Sequence, residues 1–274
     1  MQNNNNKAQA TAAAVMVALV GFPAVAEPSA VRAAEAAYIM PYSQMSKPRQ
    51  MPYFSDGKAE PRIDDVEVEF QVGLLIPVAE PGWLSDDQWE VGYTFRAYWQ
   101  WYNKPESRPM REQLHAADLR YRWSLALTDD LHLEPYVAVE HVSNGRAKLL
   151  SHSWDRAALG AAVRWERLRA SAKIWQTLNQ SNAGRGKAFE LEDYYGPGEL
   201  ELGYRGTGYD LRSLFRLAPG QGTGRGYAEV GAVVPVTGSV SIYAKYSRGY
   251  GESLVDANRD MERLGVGLML GRWY

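Results

Sequence analysis

Beyond residue 61 the chain alternates apolar and polar positions in segments of about ten residues, and turn signals rich in Gly, Asn and Asp separate the segments. Alternation with a period of two is typical of β-strands that have two different faces. The pattern predicts eleven strands, and a short strand-like piece before residue 61 brings the total to twelve. The predicted strands lie near 37–42, 66–78, 88–102, 111–125, 131–143, 153–165, 168–178, 198–206, 209–217, 226–235, 239–249 and 261–274.

The predicted connections alternate in length along the chain. Tight turns such as 128–130 and 206–208 alternate with longer loops such as 144–152, 179–197 and 250–260. An even number of strands, with short turns at one end and long loops at the other, is the organisation of bacterial outer-membrane barrels. A soluble all-β sandwich gives similar spacing, so connection lengths alone leave both open.

The composition of the two strand faces favours the barrel. In the last predicted strand, Leu264, Val266, Leu268 and Leu270 share one side, and the other side carries mostly glycine. An aliphatic side suits lipid, whereas a small or polar side suits a barrel interior. We therefore predict an all-β fold, a twelve-stranded antiparallel transmembrane β-barrel.

The N-terminal segment resembles a secretory signal. Lys7 precedes an apolar, alanine-rich stretch at 8–26, which closes on the small-x-small pattern Ala24-Val25-Ala26. An N-terminal membrane anchor is the alternative. We expect residues 1–26 to be a signal peptide, 27–60 an extension that includes the short first strand, and 61–274 the barrel.

Composition narrows the function classes. The 274 residues are 46% hydrophobic and 23% charged with a formal net charge of -2, so no clustered basic face for nucleic acid is expected. The chain has no cysteine, which excludes disulfides, thiolate metal sites and cysteine nucleophiles. Tyr and Trp (17 and 9) outnumber Phe (6), a bias typical of membrane-interface belts and also of carbohydrate-binding β-proteins.

Three polar side chains are predicted on the lipid face near one rim. His141 and Ser143 share a strand face with Val137, and Asp155 shares the outward face of the next strand with Leu159. Polar groups facing lipid are costly and are candidates for function. Ser143 would be the nucleophile, His141 its base, and Asp155 the group that orients the imidazole, acting on a lipid ester. On spacing alone, the alternative of ordinary rim residues in the headgroup zone is favoured over a catalytic role.

Several segments resemble the bacterial outer-membrane phospholipase A family, in family order from about residue 37 to the C-terminus. They are His141-Val142-Ser143-Asn144-Gly145-Arg146, Ser151-His152-Ser153-Trp154-Asp155-Arg156, Tyr246-Ser247-Arg248-Gly249-Tyr250-Gly251-Glu252-Ser253-Leu254 and Tyr38-Ile39-Met40-Pro41-Tyr42. The resemblance implies a calcium-dependent phospholipase A1/A2 of a Gram-negative outer membrane that hydrolyses phospholipids and lysophospholipids and dimerises reversibly with itself.

The resemblance also assigns roles to individual residues. It implies that Ser143 is the nucleophile, His141 the base and Asp155 the third member, where the best-known members have asparagine. The calcium ion would bind the backbone carbonyls of Ser107 and Arg146 and the hydroxyl of Ser151, which are hard oxygen ligands. The backbone amide of Gly145 or of Ser143, with a calcium-bound water, would stabilise the oxyanion.

One position departs from the family. Phe95 appears where the family's dimer interface has a buried glutamine, so a polar contact is lost and aromatic packing or simple exposure to lipid replaces it. The rival function is a non-enzymatic barrel, either porin-like or structural.

Overall fold

In the computed structural model, the described residues are 36–46, 63–146, 150–182, 189–218 and 224–273. The predicted signal peptide and most of the predicted extension lie outside them. The described chain forms twelve long strands, one two-residue strand (β5) and one four-residue helix (α1). The strands are β1 (Tyr38–Met45), β2 (Val66–Ala79), β3 (Gln88–Trp99), β4 (Met110–Arg122), β5 (Leu125–Ala126), β6 (Leu131–Ser143), β7 (His152–Trp165), β8 (Leu168–Asn182), β9 (Gly198–Arg205), β10 (Asp210–Ala218), β11 (Arg225–Pro235), β12 (Val240–Gly249) and β13 (Met261–Leu270), and the helix is Glu192–Tyr195.

The long strands form one closed antiparallel sheet. Strand β1 pairs with both β2 and β13, so the two ends of the sheet meet. Strand β4 pairs with β6 past the short β5, which completes the circuit. A closed sheet has no unpaired edges, as a barrel in lipid requires. The prediction of a twelve-stranded antiparallel barrel is therefore confirmed, and the sandwich alternative is wrong.

Strand ends differ from the predictions by a few residues. The predicted strand 88–102 ends at Trp99, because the backbone turns there and the Trp101 amide donates to the Trp99 carbonyl at 2.7 Å. The predicted strand 168–178 continues to Asn182, because its pairing with β7 runs through that residue.

The outward face is aliphatic, as predicted. Leu264, Val266, Leu268 and Leu270 are 45–67% exposed, and their neighbours Gly265 and Met269 face inward. These side chains form part of the surface that contacts lipid. No helix in the described ranges is long and apolar enough to cross a membrane.

Paired charges fill much of the lumen. Glu67 accepts from the guanidinium groups of Arg111 and Arg263, both at 2.9 Å, and Glu69 contacts Lys245. These side chains are almost completely buried. Because an unpaired buried charge is costly, such groups persist only with partners. The interior of the barrel is therefore a bonded network of side chains.

The loop between β12 and β13 folds back over the lumen at the end where the long loops lie. Its residues 251–257 are all buried, and the Val255 amide donates to the Glu112 carboxylate at 2.7 Å. Burial raises the pKa of Asp256 in this loop, although its contact with Arg111 acts in the opposite direction. We call residues 250–260 the plug loop.

Candidate active site

His141 and Ser143 lie on the outer wall at the end of β6, next to the loop that leads to β7. The face is set by alternation: Val137 is 43% exposed to the outside, and the residues two, four and six positions further share its side. His141 is exposed and Ser143 is half-buried. Both therefore point outward, where the sequence predicted them.

The structure brings Asp155 into contact with His141. Strands β6 and β7 pair His141 with Asp155 and Ser143 with Ser153. The imidazole Nδ1 lies 2.6 Å from the Asp155 Oδ1. When Nδ1–H donates to the carboxylate, Nε2 carries the lone pair and is the nitrogen left to take a proton from a neighbouring hydroxyl. The arrangement suits an imidazole that acts as a general base.

Asn179 holds the other carboxylate oxygen, a contact that the sequence analysis missed. Its Nδ2 donates to Asp155 Oδ2 at 3.2 Å. A bulge makes this contact possible, because Asp155 pairs with Asn179 while the next residue, Arg156, pairs with Thr177 and Leu178 is skipped. β-Bulges re-aim side chains in this way and are common next to active sites. Asn179 was missed in the sequence analysis because the predicted strand ended at residue 178.

One buried side chain links the described residues on either side of the turn between β6 and β7. Asn144 Oδ1 accepts from the amides of His152 at 3.1 Å and Arg146 at 3.3 Å, and its Nδ2 donates to the Leu150 carbonyl at 2.8 Å. Gly145 between them has φ +61°, a conformation that glycine adopts without a steric cost. Asn144 thereby fixes the backbone around Gly145, the candidate oxyanion donor.

The predicted calcium ligands lie on two loops that are tied together. The Arg146 guanidinium donates to the carbonyls of Met110 and, at 2.7 Å, Arg111, at the end of the loop that carries Ser107. Ser107 and Arg108 both have positive φ (59° and 54°), which is rare for residues other than glycine and is often found at ligand-binding loops.

The chemistry of this donor set fits a hard cation. The described residues contain no group of three His, Cys, Asp or Glu side chains that could hold a metal. A cation at this position would therefore depend on carbonyl and hydroxyl oxygens, which calcium accepts together with water.

A second imidazole flanks Ser143 on the β4 side, and the sequence analysis did not select it. The pairing of β4 with β6 sets His115 directly opposite Ser143. Its Nδ1 lies 2.7 Å from the Tyr93 hydroxyl, and its ring centre is 5.0 Å from that of Phe95. Phe95 also packs against Phe70 at 5.8 Å, so aromatic contacts occupy the position where the resemblance implies a glutamine.

Comparisons with known proteins agree with the barrel fold. Residues 24–270 match the family model described as Phospholipase A1. Phospholipase A1 of Salmonella typhimurium is 31% identical over 216 residues, which cover 74% of this chain and 69% of that protein. The outer membrane phospholipase A of Escherichia coli superposes with a TM-score of 0.79 at 26% identity, covering 90% of this chain and 94% of that one.

Two further solved structures bear on the site. A variant of the Escherichia coli enzyme, in which an active-site asparagine is replaced by alanine, matches with the same TM-score of 0.79 and the same coverage. The Salmonella typhi outer membrane phospholipase, a dimer with bound calcium, matches with a TM-score of 0.78 at 26% identity, covering 90% of this chain and 94% of that one.

Proposed function

Because this chain belongs to the phospholipase A1 family, we propose that it hydrolyses acyl esters of phospholipids and lysophospholipids with Ser143, His141 and Asp155 as its catalytic triad. The protein is a closed β-barrel of the outer membrane of a Gram-negative bacterium. The observation that carries the triad is the 2.6 Å contact between His141 and Asp155 on the wall that faces lipid.

The proposed reaction starts with proton transfer from Ser143 to His141. As Ser143 Oγ attacks the acyl carbonyl carbon, His141 Nε2 takes the hydroxyl proton and Asp155 stabilises the resulting imidazolium. The tetrahedral adduct collapses, the C–O bond to the glycerol oxygen breaks, and His141 returns the proton to that oxygen. Water then attacks the acyl-serine with the same imidazole as base, which releases the fatty acid.

The negative charge on the carbonyl oxygen needs donors in place before it forms. The amide of Gly145 or of Ser143 is the proposed backbone donor, next to the Asn144 side chain and its hydrogen bonds to Leu150 and His152. The carbonyls of Ser107 and Arg146 and the hydroxyl of Ser151 would hold a calcium ion, which would supply positive charge that favours the oxyanion. We therefore expect activity to require calcium.

Asp155 is proposed as the counterpart of the active-site asparagine in the Escherichia coli enzyme. An aspartate and an asparagine both accept a hydrogen bond from Nδ1–H, so either orients the imidazole. The aspartate adds a negative charge next to the imidazolium that forms during the reaction. In this chain Asn179 binds the remaining carboxylate oxygen.

The proposal includes a reversible homodimer that binds calcium, by analogy with the dimeric, calcium-bound relative. Phe95 and its ring contacts lie on the outer wall near Ser143. A second barrel packed there would cover one side of the site and leave a cleft for an acyl chain. Apolar packing would then take over from the polar contact that the resemblance implies.

The inside of the barrel argues against the porin-like alternative. A pore needs an open polar channel, whereas here paired charges occupy the lumen and the buried plug loop covers one end. A lumen occupied in this way differs from the open aqueous channel of a porin. The chemistry is therefore expected on the outside of the wall.

The test is fatty-acid release from mixed micelles by purified Ser143→Ala, measured with calcium and with chelator. Ser153→Ala is the matched control, because Ser153 is the outward-facing serine directly opposite Ser143 on β7. We expect Ser143→Ala to lose calcium-stimulated hydrolysis and Ser153→Ala to keep it. Both variants should still fold into barrels, as judged by their heat-modifiable mobility on gels. Undiminished hydrolysis by Ser143→Ala would exclude Ser143 as the nucleophile.

A further inference from the structure

His115 lies beside the nucleophile on the outer wall. It is directly opposite Ser143 in the β4–β6 pair, and opposite residues on one face of a sheet have β-carbons about 4.5–5.5 Å apart. The other side of Ser143 faces Ser153, and His141 lies two residues back along the strand. Ser143 therefore has two imidazole neighbours, one along the strand and one across it.

The free edge of the His115 ring faces the candidate oxyanion loop. A β-carbon built on Gly145 would lie 3.4 Å from His115 Nε2 and 3.5 Å from Cδ2. The ring nitrogen is thus next to the residue whose amide is the proposed oxyanion donor. A substrate carbonyl that approaches Ser143 must enter the space that Ser143, Gly145 and His115 share.

The Tyr93 hydroxyl favours one tautomer of a neutral His115 ring. The Tyr93 hydroxyl lies 2.7 Å from Nδ1, and a phenol readily donates to a neutral imidazole nitrogen. Phe95 packs against the same ring, with the ring centres 5.0 Å apart. With Nδ1 as acceptor, the proton of the neutral ring is on Nε2.

We propose that His115 is a further catalytic residue, whose Nε2–H donates a hydrogen bond to the oxyanion formed when Ser143 attacks the acyl carbonyl. Tyr93 is the positioning residue that keeps Nδ1 as the acceptor. No proton is transferred: His115 remains neutral and stabilises charge, while His141 moves the proton. This inference rests on the proposed function, since it requires Ser143 as the nucleophile.

The first experiment compares two variants of equal size. Gln has an amide that can occupy the place of Nε2–H, whereas Met has the same length and no N–H donor. His115→Gln should retain most of kcat, and His115→Met should lower kcat about 100-fold, the usual effect of losing one oxyanion donor. KM should change little in both, because the bond forms only in the transition state. Equal kcat values for the two variants would overturn the proposal.

The second experiment observes the ring itself. The chain has four histidines, so ¹⁵N-histidine spectra in micelles are simple, and His115→Gln identifies the signal of His115. The expected spectrum is that of a neutral ring protonated at Nε2, and Tyr93→Phe should shift it towards the other tautomer and lower kcat. A ring protonated at Nδ1, or a charged ring at the pH of the assay, would refute the role.

The outcomes separate this inference from the proposed function. An active Ser143→Ala would refute both, because the oxyanion would then form elsewhere. An inactive Ser143→Ala together with a fully active His115→Met would keep the triad and reject only the role of His115.

Discussion

Replacing Asp155 with asparagine removes the carboxylate charge behind His141 and keeps a side chain of the same shape. The contact it changes is the 2.6 Å hydrogen bond to Nδ1. Opposite charges about 4 Å apart attract by about 1 kcal/mol in water and about 4 kcal/mol in a medium of dielectric constant near 20. The His141 and Asp155 side chains are 52% and 36% exposed, so the lower part of this range applies. We expect a loss of about 1–2 kcal/mol of transition-state stabilisation, roughly 5- to 30-fold in kcat.

Asn179 decides whether the substituted amide can face the right way. In Asp155→Asn, the His141 Nδ1–H still needs an oxygen acceptor, so the NH₂ of the new amide must face Asn179. The Nδ2 of Asn179, which donates to Asp155 in the unchanged protein, would then meet another donor. Asn179 can resolve the conflict by rotating its amide half a turn, which presents its oxygen. Asp155→Asn with Asn179→Asp should recover part of the lost activity, because the carboxylate at position 179 accepts from the NH₂ without any rotation and returns a negative charge to the site. Asn179→Asp alone should be harmful, because it sets two carboxylates against each other.

The assay is kcat for fatty-acid release at saturating calcium and substrate, with Asp155→Ala as the reference. Loss of the orienting group should cost about 10⁴-fold in kcat, as in other serine triads. If Asp155→Asn is as inactive as Asp155→Ala, then the negative charge of Asp155, or the His141 tautomer that it selects, matters more than the orientation of the imidazole. That result would refute the predicted loss of only about 5- to 30-fold. If the double variant is worse than Asp155→Asn alone, the role of Asn179 is wrong.

Three more predictions concern the lumen, the cation and the dimer. Glu67→Gln removes the carboxylate bound to Arg111 and should destabilise the barrel by about 3–5 kcal/mol, seen as a lower urea midpoint in lipid vesicles. Asp260→Asn, in an exposed pair, is the control and should change the midpoint little. Ser151→Ala should move calcium activation to higher concentration while activity at saturating calcium is largely kept; an unchanged calcium titration would remove Ser151 from the ligand set. Phe95→Gln should strengthen the dimer by about 1 kcal/mol, measured by crosslinking in micelles, and unchanged crosslinking would show that this position is not in the interface.

The barrel could be predicted from sequence because the alternation of residue types along each strand reflects its two environments, lipid on one face and the lumen on the other. Aliphatic residues such as Leu264 and Leu268 alternate with small or polar ones, and a shift of one residue would turn every side chain to the wrong face. The same alternation predicted that His141, Ser143 and Asp155 point outward, since each shares a face with residues that contact lipid. Neither observation depends on distant parts of the chain.

The remaining contacts depend on register between strands, which no local pattern records. Asn179 reaches Asp155 only because Leu178 is skipped in the β7–β8 ladder. His115 meets Ser143 only because the two are paired across β4 and β6, 28 positions apart in the sequence. The partners of Glu67 come from three separate parts of the chain, including Arg263 near its end. Such contacts become visible only when the sheet has closed.

The same alternation that exposes the site also makes it rigid. Leu114, Val142 and Trp154 are the inward neighbours of His115, Ser143 and Asp155, and all three pack in one cluster with Leu254 and Ala257 of the plug loop. Trp154 is 1% exposed, which leaves the β7 backbone at Asp155 little freedom to move. Fluid lipid offers no fixed partners, so the catalytic geometry on this wall depends on contacts within the protein. The packed lumen holds it from within, and a wide channel behind these strands would remove that support.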